Sequence, residues 1–266
     1  MASQDRATVS LLRTYTVRGA TAALLLGVAA PTSLPRLTDP EHNNIKYDGR
    51  FTFARLVYTT APGGYYYRGL PAWAHGYNLA EENLMKITQE ISMLDSSPER
   101  TVVVALDDPE LSRYPLAYMA EPGWWTLNDR EAAGLRSYLL KGGFIIFDDF
   151  RDDGQMFTGQ WENFERNIRK AFPSAVLVDL DASNPVFHSF FEVSEETIPN
   201  AYDIGRPMIR GLFEDNDPSK RLMAVANYNS DISQFWQFSA TGFRPVSESN
   251  EAYKLGVNYV IYGMTH

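Results

Sequence analysis

The sequence predicts an α/β fold in which a mainly parallel central sheet lies between two layers of helices. Short apolar segments alternate with helical segments of about fifteen residues, which is typical of β–α–β units with right-handed crossovers. The run Phe144–Phe147 is apolar at every position and follows two glycines, as in strands that are buried on both faces. A chain of 266 residues with 44% hydrophobic content is long enough for one large core.

Six strands are predicted from short apolar segments that end at turn-forming residues. They cover 54–59, 101–106, 116–120, 144–147, 175–178 and 222–226. Asp107-Asp108-Pro109 follows the second strand, and Glu121-Pro122-Gly123 follows the third. Residues of these types favour turns and end extended structure.

Four helices are predicted, over 78–94, from Asn128 to Gly142 or Gly143, over 161–172 and over 251–263. In the first helix, apolar side chains recur at helical spacing, at Leu84, Ile87, Ile91 and Leu94. Asn128 and Glu131 have the spacing of a capping box, and a glycine that tolerates positive φ ends the same helix.

The net charge of −9 is unevenly distributed and argues against nucleic acid as a partner. Residues 1–50 carry +2, so that residues 51–266 carry −11. A body this acidic repels a phosphate backbone, and no basic stripe interrupts it.

The chain contains no cysteine. This excludes thiol nucleophiles, zinc held by cysteine, iron–sulfur clusters and disulfides. The sequence also lacks the Gly-x-Ser-x-Gly elbow, the phosphate-binding loop, the dinucleotide fingerprint and His-Glu-x-x-His. Ordinary esterases, nucleotide hydrolases, dehydrogenases and zinc proteases therefore lose their main support.

The first thirty residues resemble an export signal. Arg6, Arg13 and Arg18 precede an apolar core at 20–30, which is too short to span a bilayer comfortably. A disordered tail is the alternative, in which case the protein would be cytoplasmic. Residues 31–49 are rich in Pro, Asn and Asp and read as a linker. The absence of an internal repeat favours one domain over 50–266.

Three predicted strands end in acid, and these ends mark the expected site. They are Asp107-Asp108, Glu121 and Asp148-Asp149, and Asp152 and Asp153 follow the last pair. Ligands of open parallel sheets bind at the carboxyl ends of strands. Crowded carboxylates there could bind a divalent cation or act as general acid and base. Alternatively, these aspartates only cap turns and helices.

Two histidines are candidates for the same site. His188 lies among aromatic residues after the fifth strand, where it could act as a base or metal ligand. It could equally be a core histidine that bonds a backbone carbonyl. His75 lies in a loop rich in Gly, Tyr and Trp. His42 and His266 lie near the linker and the terminus and are taken as incidental.

Aromatic residues of two loops could form a surface on which a ligand stacks. They are Tyr65, Tyr66, Tyr67, Trp73, Tyr77, Trp124 and Trp125. The alternative is that they only close the top of the sheet.

Several motifs together resemble the domain of unknown function 4159 family. They are 51–56, 107–111 with Tyr114-Pro115 and Tyr118-Met119, 135–144 with Asp148-Asp149, 185–190 and 253–259. The likeness runs from about Arg50 to Thr265. It implies a flavodoxin-like three-layer α/β/α fold, similar to class I glutamine amidotransferases, and no established activity. The amidotransferases use a cysteine nucleophile, so the missing cysteine excludes a glutaminase.

Three hypotheses about function follow from these patterns. The first is a domain that binds a small polar ligand or an envelope protein partner at the acidic and aromatic strand ends, with no required cofactor. The second is a hydrolase, with glycans as one candidate substrate class, that uses Asp148 or Asp149 and His188, with or without a divalent cation. The third is a purely structural domain of a cell-envelope assembly.

Overall fold

The computed structural model describes residues 44–96, 98–152, 158–202 and 204–266. The predicted export signal or tail at 1–30 and the linker up to residue 43 lie outside the described residues, as do His42 and Asp153. Within the described ranges, none of the helices combines the length and the apolar character that a membrane span requires.

The described residues form eleven strands and five α-helices. The strands are β1 Phe53–Val57, β2 Thr59–Thr60, β3 Tyr65–Tyr66, β4 Leu70–Pro71, β5 Thr101–Ala105, β6 Leu116–Ala120, β7 Trp125–Thr126, β8 Phe144–Asp148, β9 Leu177–Asp179, β10 Met208–Phe213 and β11 Leu222–Tyr228. The helices are α1 Leu79–Ile91, α2 Asp129–Leu140, α3 Gln160–Ala171, α4 Ile232–Gln237 and α5 Val246–Thr265.

Seven strands form the central sheet, in the order β5-β1-β6-β8-β11-β10-β9. The pairs from β5 to β11 are all parallel, whereas β10 runs antiparallel to both of its neighbours. The two short ribbons, β2 with β7 and β3 with β4, form small separate sheets. The predicted mainly parallel sheet is therefore confirmed, and β6, β8 and β11 are neighbours whose carboxyl ends share one edge.

Helices cover both faces of this sheet, which confirms the three-layer α/β/α fold. Side chains of α2 and α3 pack in one apolar core, and those of α1, α4 and α5 pack in the other. Along β8, Phe144 and Ile146 enter the core of α1, α4 and α5, whereas Ile145 and Phe147 enter the opposite core. Because both faces of β8 are buried, the strand needs an apolar residue at every position.

The second helix begins and packs as its sequence predicts. Asn128 Oδ1 accepts bonds from the backbone N–H groups of Arg130 and Glu131, and the Glu131 carboxylate accepts from Asn128 N at 2.9 Å. This is the predicted capping box. Gly134 lets α2 approach the end of β5, since a Cβ there would lie 1.9 Å from the carbonyl oxygen of Leu106.

Candidate functional site

The three adjacent strands β6, β8 and β11 are each followed at once by a polar residue in the left-handed region. These residues are Glu121, Asp149 and Asn229, with φ of 45°, 67° and 55°. Non-glycine residues seldom adopt this conformation, which costs about 1–3 kcal/mol each, and residues strained in this way cluster at active sites and ligand-binding sites. The chain thus turns sharply at the carboxyl edge of the sheet, where Glu121 and Asp149 were expected to meet.

His75 lies between these two carboxylates. Its Nδ1 atom is 2.6 Å from Asp149 Oδ2 and 2.8 Å from Glu121 Oε1. The three residues come from separate segments, because His75 belongs to the loop between β4 and α1. A single N–H hydrogen donates well to one oxygen at a time, so two carboxylates compete for one donor.

A third carboxylate and a phenol complete the group. Asp231 caps α4, and its Oδ1 accepts from Gln234 N at 2.9 Å and from the Ser233 hydroxyl at 2.8 Å. The Tyr202 hydroxyl donates to Asp149 Oδ1 and lies 3.1 Å from Asp231 Oδ2. We call His75, Glu121, Asp149, Tyr202 and Asp231 the strand-end site.

Arg151 lies at the border of the strand-end site. Its Nε atom is 3.6 Å from Asp149 Oδ1, and its guanidinium stacks 4.3 Å from the centre of the Tyr202 ring. The side chains of His75, Glu121 and Arg151 are 21%, 14% and 30% exposed, whereas Asp149 and Asp231 are 1% exposed. Solvent, and any ligand, therefore meets the first three side chains before the two buried aspartates.

The close packing of charges separates the pKa values of the group. Burial opposes the charged form of His75, but Asp149 and Glu121 raise the pKa of this imidazole to about 11. Burial and the charge of Asp149 raise the pKa of Glu121 to about 7. Burial also raises the pKa of Asp231, with Asp149 adding to the effect. The pKa of Asp149 is lowered, because His75 and Arg151 outweigh its burial.

A buried arginine holds the loop that carries His75. Arg55, in the middle of β1, is fully buried and donates from Nη1 to the carbonyl oxygens of Trp73 at 3.0 Å and His75 at 2.9 Å. Its Nε donates to Glu81 Oε1 at 2.5 Å, and its guanidinium lies over the Tyr118 ring. The sheet thus fixes the backbone of His75 through hydrogen bonds from a fully buried side chain.

Asp148 does not share the environment of Asp149. It is fully buried, and its carboxylate accepts four hydrogen bonds, from Asn227 Nδ2 at 2.8 Å, Tyr118 hydroxyl at 2.8 Å, Ser233 N at 3.0 Å and Ile232 N at 3.2 Å. Burial and the charge of Asp231 raise the pKa of Asp148 to about 7, and these hydrogen bonds only partly oppose the shift. This geometry attaches the start of α4 to the sheet, so that Asp148 has a structural role, and a catalytic role for Asp148 or Asp149 stays a prediction.

The predicted site residues of β5 lie apart from the strand-end site. Asp107 pairs with Arg130 at 3.0 Å, and Asp108 accepts from Glu110 N at the start of a short turn of helix. Both line a cavity of about 220 Å³ beside α2. Because β1 separates β5 from β6, these carboxylates share no described contact with Glu121 or Asp149. Asp107 and Asp108 are thus occupied by the ordinary turn and surface contacts of the alternative interpretation.

His188 likewise has its own partners. It contacts the Glu192 carboxylate and the carbonyl oxygen of Ala182, and its side chain is 38% exposed. Neither partner belongs to the strand-end site, and no described contact joins His188 to Asp148 or Asp149. The histidine that meets Asp149 is His75.

The predicted stacking surface is corrected for two of its rings. Trp73 and Trp125 are fully buried, and Trp125 packs between Phe147 and Phe164 in the core. Neither ring has a face left for a ligand. Trp124 is half-buried and packs against Gly63 and Gly64. Tyr65, Tyr67 and Tyr77 contribute no described contact to the strand-end site, and only the Tyr66 ring lies against His75, with centres 5.1 Å apart.

Sequence patterns did not identify Asp231, Tyr202 or Arg151. Asp231 could have been found, since Asp231 and Gln234 have the spacing of a helix start three residues beyond β11. Tyr202 lies in an irregular segment without periodicity, so nothing in the sequence places it beside Asp149.

A comparison with protein families supports the resemblance seen in the motifs. Residues 52–264 match the family described as domain of unknown function (DUF4159), and the chain belongs to this family. No curated protein matches the chain.

Proposed function

We propose that this member of the domain of unknown function 4159 family binds a small polar ligand, with a positive charge or several N–H donors, at the strand-end site. One observation supports the proposal above all: three carboxylates from three neighbouring strand ends converge around one imidazole and one phenol. Glu121, Asp149 and Asp231 carry three negative charges when ionised, against the positive charges of His75 and Arg151. The excess of acceptors favours a ligand that brings donors or positive charge.

The exposed part of the site determines how such a ligand would enter. Glu121 is the carboxylate that solvent reaches, and burial together with the neighbouring charge of Asp149 raises its pKa to about 7. A bound cation near Glu121 would compensate this charge. A charge-assisted hydrogen bond of this kind contributes about 1.5–3 kcal/mol, which corresponds to about 10- to 150-fold in affinity.

Glucosamine and N-acetylglucosamine form a matched pair of probes, because they differ in charge on the same ring. Isothermal titration calorimetry with both sugars on the wild-type chain and on Glu121→Gln tests the proposal. We expect glucosamine to bind more tightly than N-acetylglucosamine, and Glu121→Gln to weaken glucosamine at least about tenfold. Asp107→Asn is the control, since this carboxylate lies outside the site, and it should bind glucosamine as the wild type does. Equal affinity of glucosamine for wild type and Glu121→Gln would contradict the proposal.

The amidotransferase-like architecture is part of this proposal and is supported by the parallel sheet and by Asp149, which occupies the turn directly after β8. Glutaminase chemistry is not proposed, because the sequence has no cysteine.

Export is also proposed and is supported by the basic and apolar N-terminal sequence. Fractionation of cells that express the chain with and without residues 1–30 tests it, and an unchanged location would contradict it.

Hydrolysis is the second candidate, because the pKa values of two adjacent carboxyl groups move in opposite directions. Asp149 is held ionised, while Glu121 has a pKa of about 7. Such pairs supply a base or nucleophile and a general acid. Since both contact His75 Nδ1, their nearest oxygens are at most about 5.4 Å apart, the sum of the two distances. This upper limit is shorter than the separation of about 6.5–9.5 Å between the carboxyl groups of inverting glycosidases, and it allows the separation of about 5–5.5 Å found in retaining ones.

A panel of 4-nitrophenyl glycosides tests this second candidate. Loss of the general acid should lower turnover by about 10²- to 10⁴-fold in Glu121→Gln. Asp107→Asn should keep the wild-type rate. Turnover that is the same in Glu121→Gln, or absent with every glycoside, would contradict the hydrolase.

A further inference from the structure

We infer that the cationic ligand of the strand-end site is a divalent transition-metal ion, bound by His75 Nδ1 and the carboxylates of Asp149 and Asp231, with Glu121 as a further oxygen ligand. The inference rests on the proposed function, because it names the ligand of the same site. It goes further by assigning the chemical class of that ligand and the atoms that hold it.

The candidate ligand atoms lie close to one another. One atom each from His75, Asp149 and Asp231 can be chosen so that all lie within 4.8 Å of one another. Nδ1 of His75 is within 3 Å of two carboxylate oxygens, although one N–H hydrogen serves only one of them. A metal ion in place of that hydrogen bonds to the nitrogen and to both oxygens, and so removes the competition.

Other contacts orient Asp149, Asp231 and His75 within the site. The second oxygen of Asp149 is held by the Tyr202 hydroxyl, and Asp231 is held by Ser233 and Gln234 at the start of α4. The backbone of His75 is fixed by the buried Arg55. Metal sites in proteins typically have such supporting bonds around their ligands.

The charges of the site match a divalent ion. A histidine that binds metal is neutral. Glu121, Asp149 and Asp231 then carry three negative charges and Arg151 carries one positive charge, which leaves two negative charges among the groups in contact. An ion of charge +2 compensates them.

The donor set selects the class of metal. Mg²⁺ and Ca²⁺ take oxygen ligands and gain little from an imidazole nitrogen. Carboxylates suit Mn²⁺ as well as Mg²⁺ and Ca²⁺, whereas an imidazole nitrogen suits Zn²⁺ and other transition-metal ions. One nitrogen with two or three carboxylates therefore favours Mn²⁺ or Zn²⁺ over Mg²⁺ and Ca²⁺.

Calorimetric titration of the EDTA-treated full chain with MnCl₂, ZnCl₂, MgCl₂ and CaCl₂ tests the inference. We expect about one Mn²⁺ or Zn²⁺ ion per chain, with an affinity at least about tenfold above that for Mg²⁺ or Ca²⁺. His75→Gln should lower the affinity for the preferred ion at least about tenfold. Asp231→Asn should lower it too, and this variant keeps the helix cap because Asn caps as well as Asp does.

His188→Gln is the matched control, because His188 also lies against a carboxylate, that of Glu192, but outside the site. It should bind the ion as the wild type does. The inference is overturned if no ion binds, if Mg²⁺ binds as tightly as Mn²⁺ and Zn²⁺, or if His75→Gln keeps the wild-type affinity. If glucosamine binds the metal-free chain while neither Mn²⁺ nor Zn²⁺ does, only the metal assignment fails. If neither sugar nor metal binds, the proposed function fails with it.

Discussion

Replacement of Asp148 by Asn should destabilise the fold, although the two side chains have nearly the same shape. The carboxylate of Asp148 is buried and accepts four hydrogen bonds, two of them from the backbone N–H groups of Ile232 and Ser233. An amide has one oxygen, so its NH₂ group must face donors whichever way it turns. The cheaper orientation directs NH₂ at Tyr118, whose hydroxyl can rotate to accept, and leaves Ser233 N–H without a partner.

The expected loss of unfolding free energy follows from this geometry. A buried N–H group without an acceptor costs about 1–3 kcal/mol, and the remaining bonds lose the contribution of a charged acceptor, about 1 kcal/mol each. Removal of a buried charge returns part of this. We expect a net loss of about 2–4 kcal/mol, a large share of the 5–15 kcal/mol typical of a folded domain.

Urea unfolding of the wild type, Asp148→Asn and Asp108→Asn measures this loss at a pH above about 8, where Asp148, with its pKa of about 7, is ionised. Asp108 also caps a turn by accepting from a backbone N–H, but it is exposed, and Asn serves there equally well. Asp108→Asn should therefore stay within about 0.5 kcal/mol of the wild type. If Asp148→Asn unfolds at the wild-type urea concentration with the same slope, the structural role of Asp148 is refuted.

Three further predictions concern groups outside the strand-end site. Arg55→Met should lower the free energy of unfolding in urea by about 3–5 kcal/mol, because Glu81 is left as a lone buried charge. The double variant Arg55→Met with Glu81→Leu should recover much of this free energy, and a double variant no more stable than the single one would contradict the prediction. Gly134→Ala should lower the thermal midpoint of unfolding, because the added Cβ would overlap the Leu106 carbonyl oxygen. This effect should outweigh the better helix propensity of Ala. A raised midpoint would refute the close approach of α2 to the end of β5. Hydrogen bonds to the Ala182 carbonyl and to Glu192 raise the pKa of His188 in the folded state. The protonated His188 should therefore stabilise the fold fully below its unfolded-state pKa of about 6.5, and this stabilisation should be lost as pH rises through its folded-state pKa. The urea midpoints of wild type and His188→Gln should thus converge with rising pH, and a constant difference from pH 5 to 9 would show that the contacts of His188 do not stabilise the fold.

Sequence patterns predicted the sheet well because each parallel strand is buried on both faces. The strand 116–120 was predicted with the bounds that β6 has, and the capping box at Asn128 is present. The segment β10 was missed, since Arg210 and Gly211 interrupt its apolar character. The short helix α4 was missed because its six residues are too few to show a helical period.

The site was predicted in part, because strand order in space differs from strand order in the chain. Glu121 and Asp149 meet since β6 and β8 are neighbours. Asp107 and Asp108 end a strand that resembles the others in sequence, but β1 lies between β5 and β6. Sequence alone gives the ends of strands, and only the pairing of the strands decides which ends meet.

The adjacent residues Asp148 and Asp149 differ in role because the chain leaves the strand between them. In a regular strand, successive side chains point to opposite faces, so Asp149 would point away from the layer of α4 if β8 continued. Its left-handed backbone instead turns the chain, and both carboxylates reach groups on the α4 side of the sheet. Asp148, still within the strand, holds α4 to the sheet, and α4 in turn carries Asp231. Asp149, just beyond it, joins Asp231 and His75. The strain at Asp149 therefore creates the site, and the buried hydrogen bonds of Asp148 place the helix on which a third carboxylate stands.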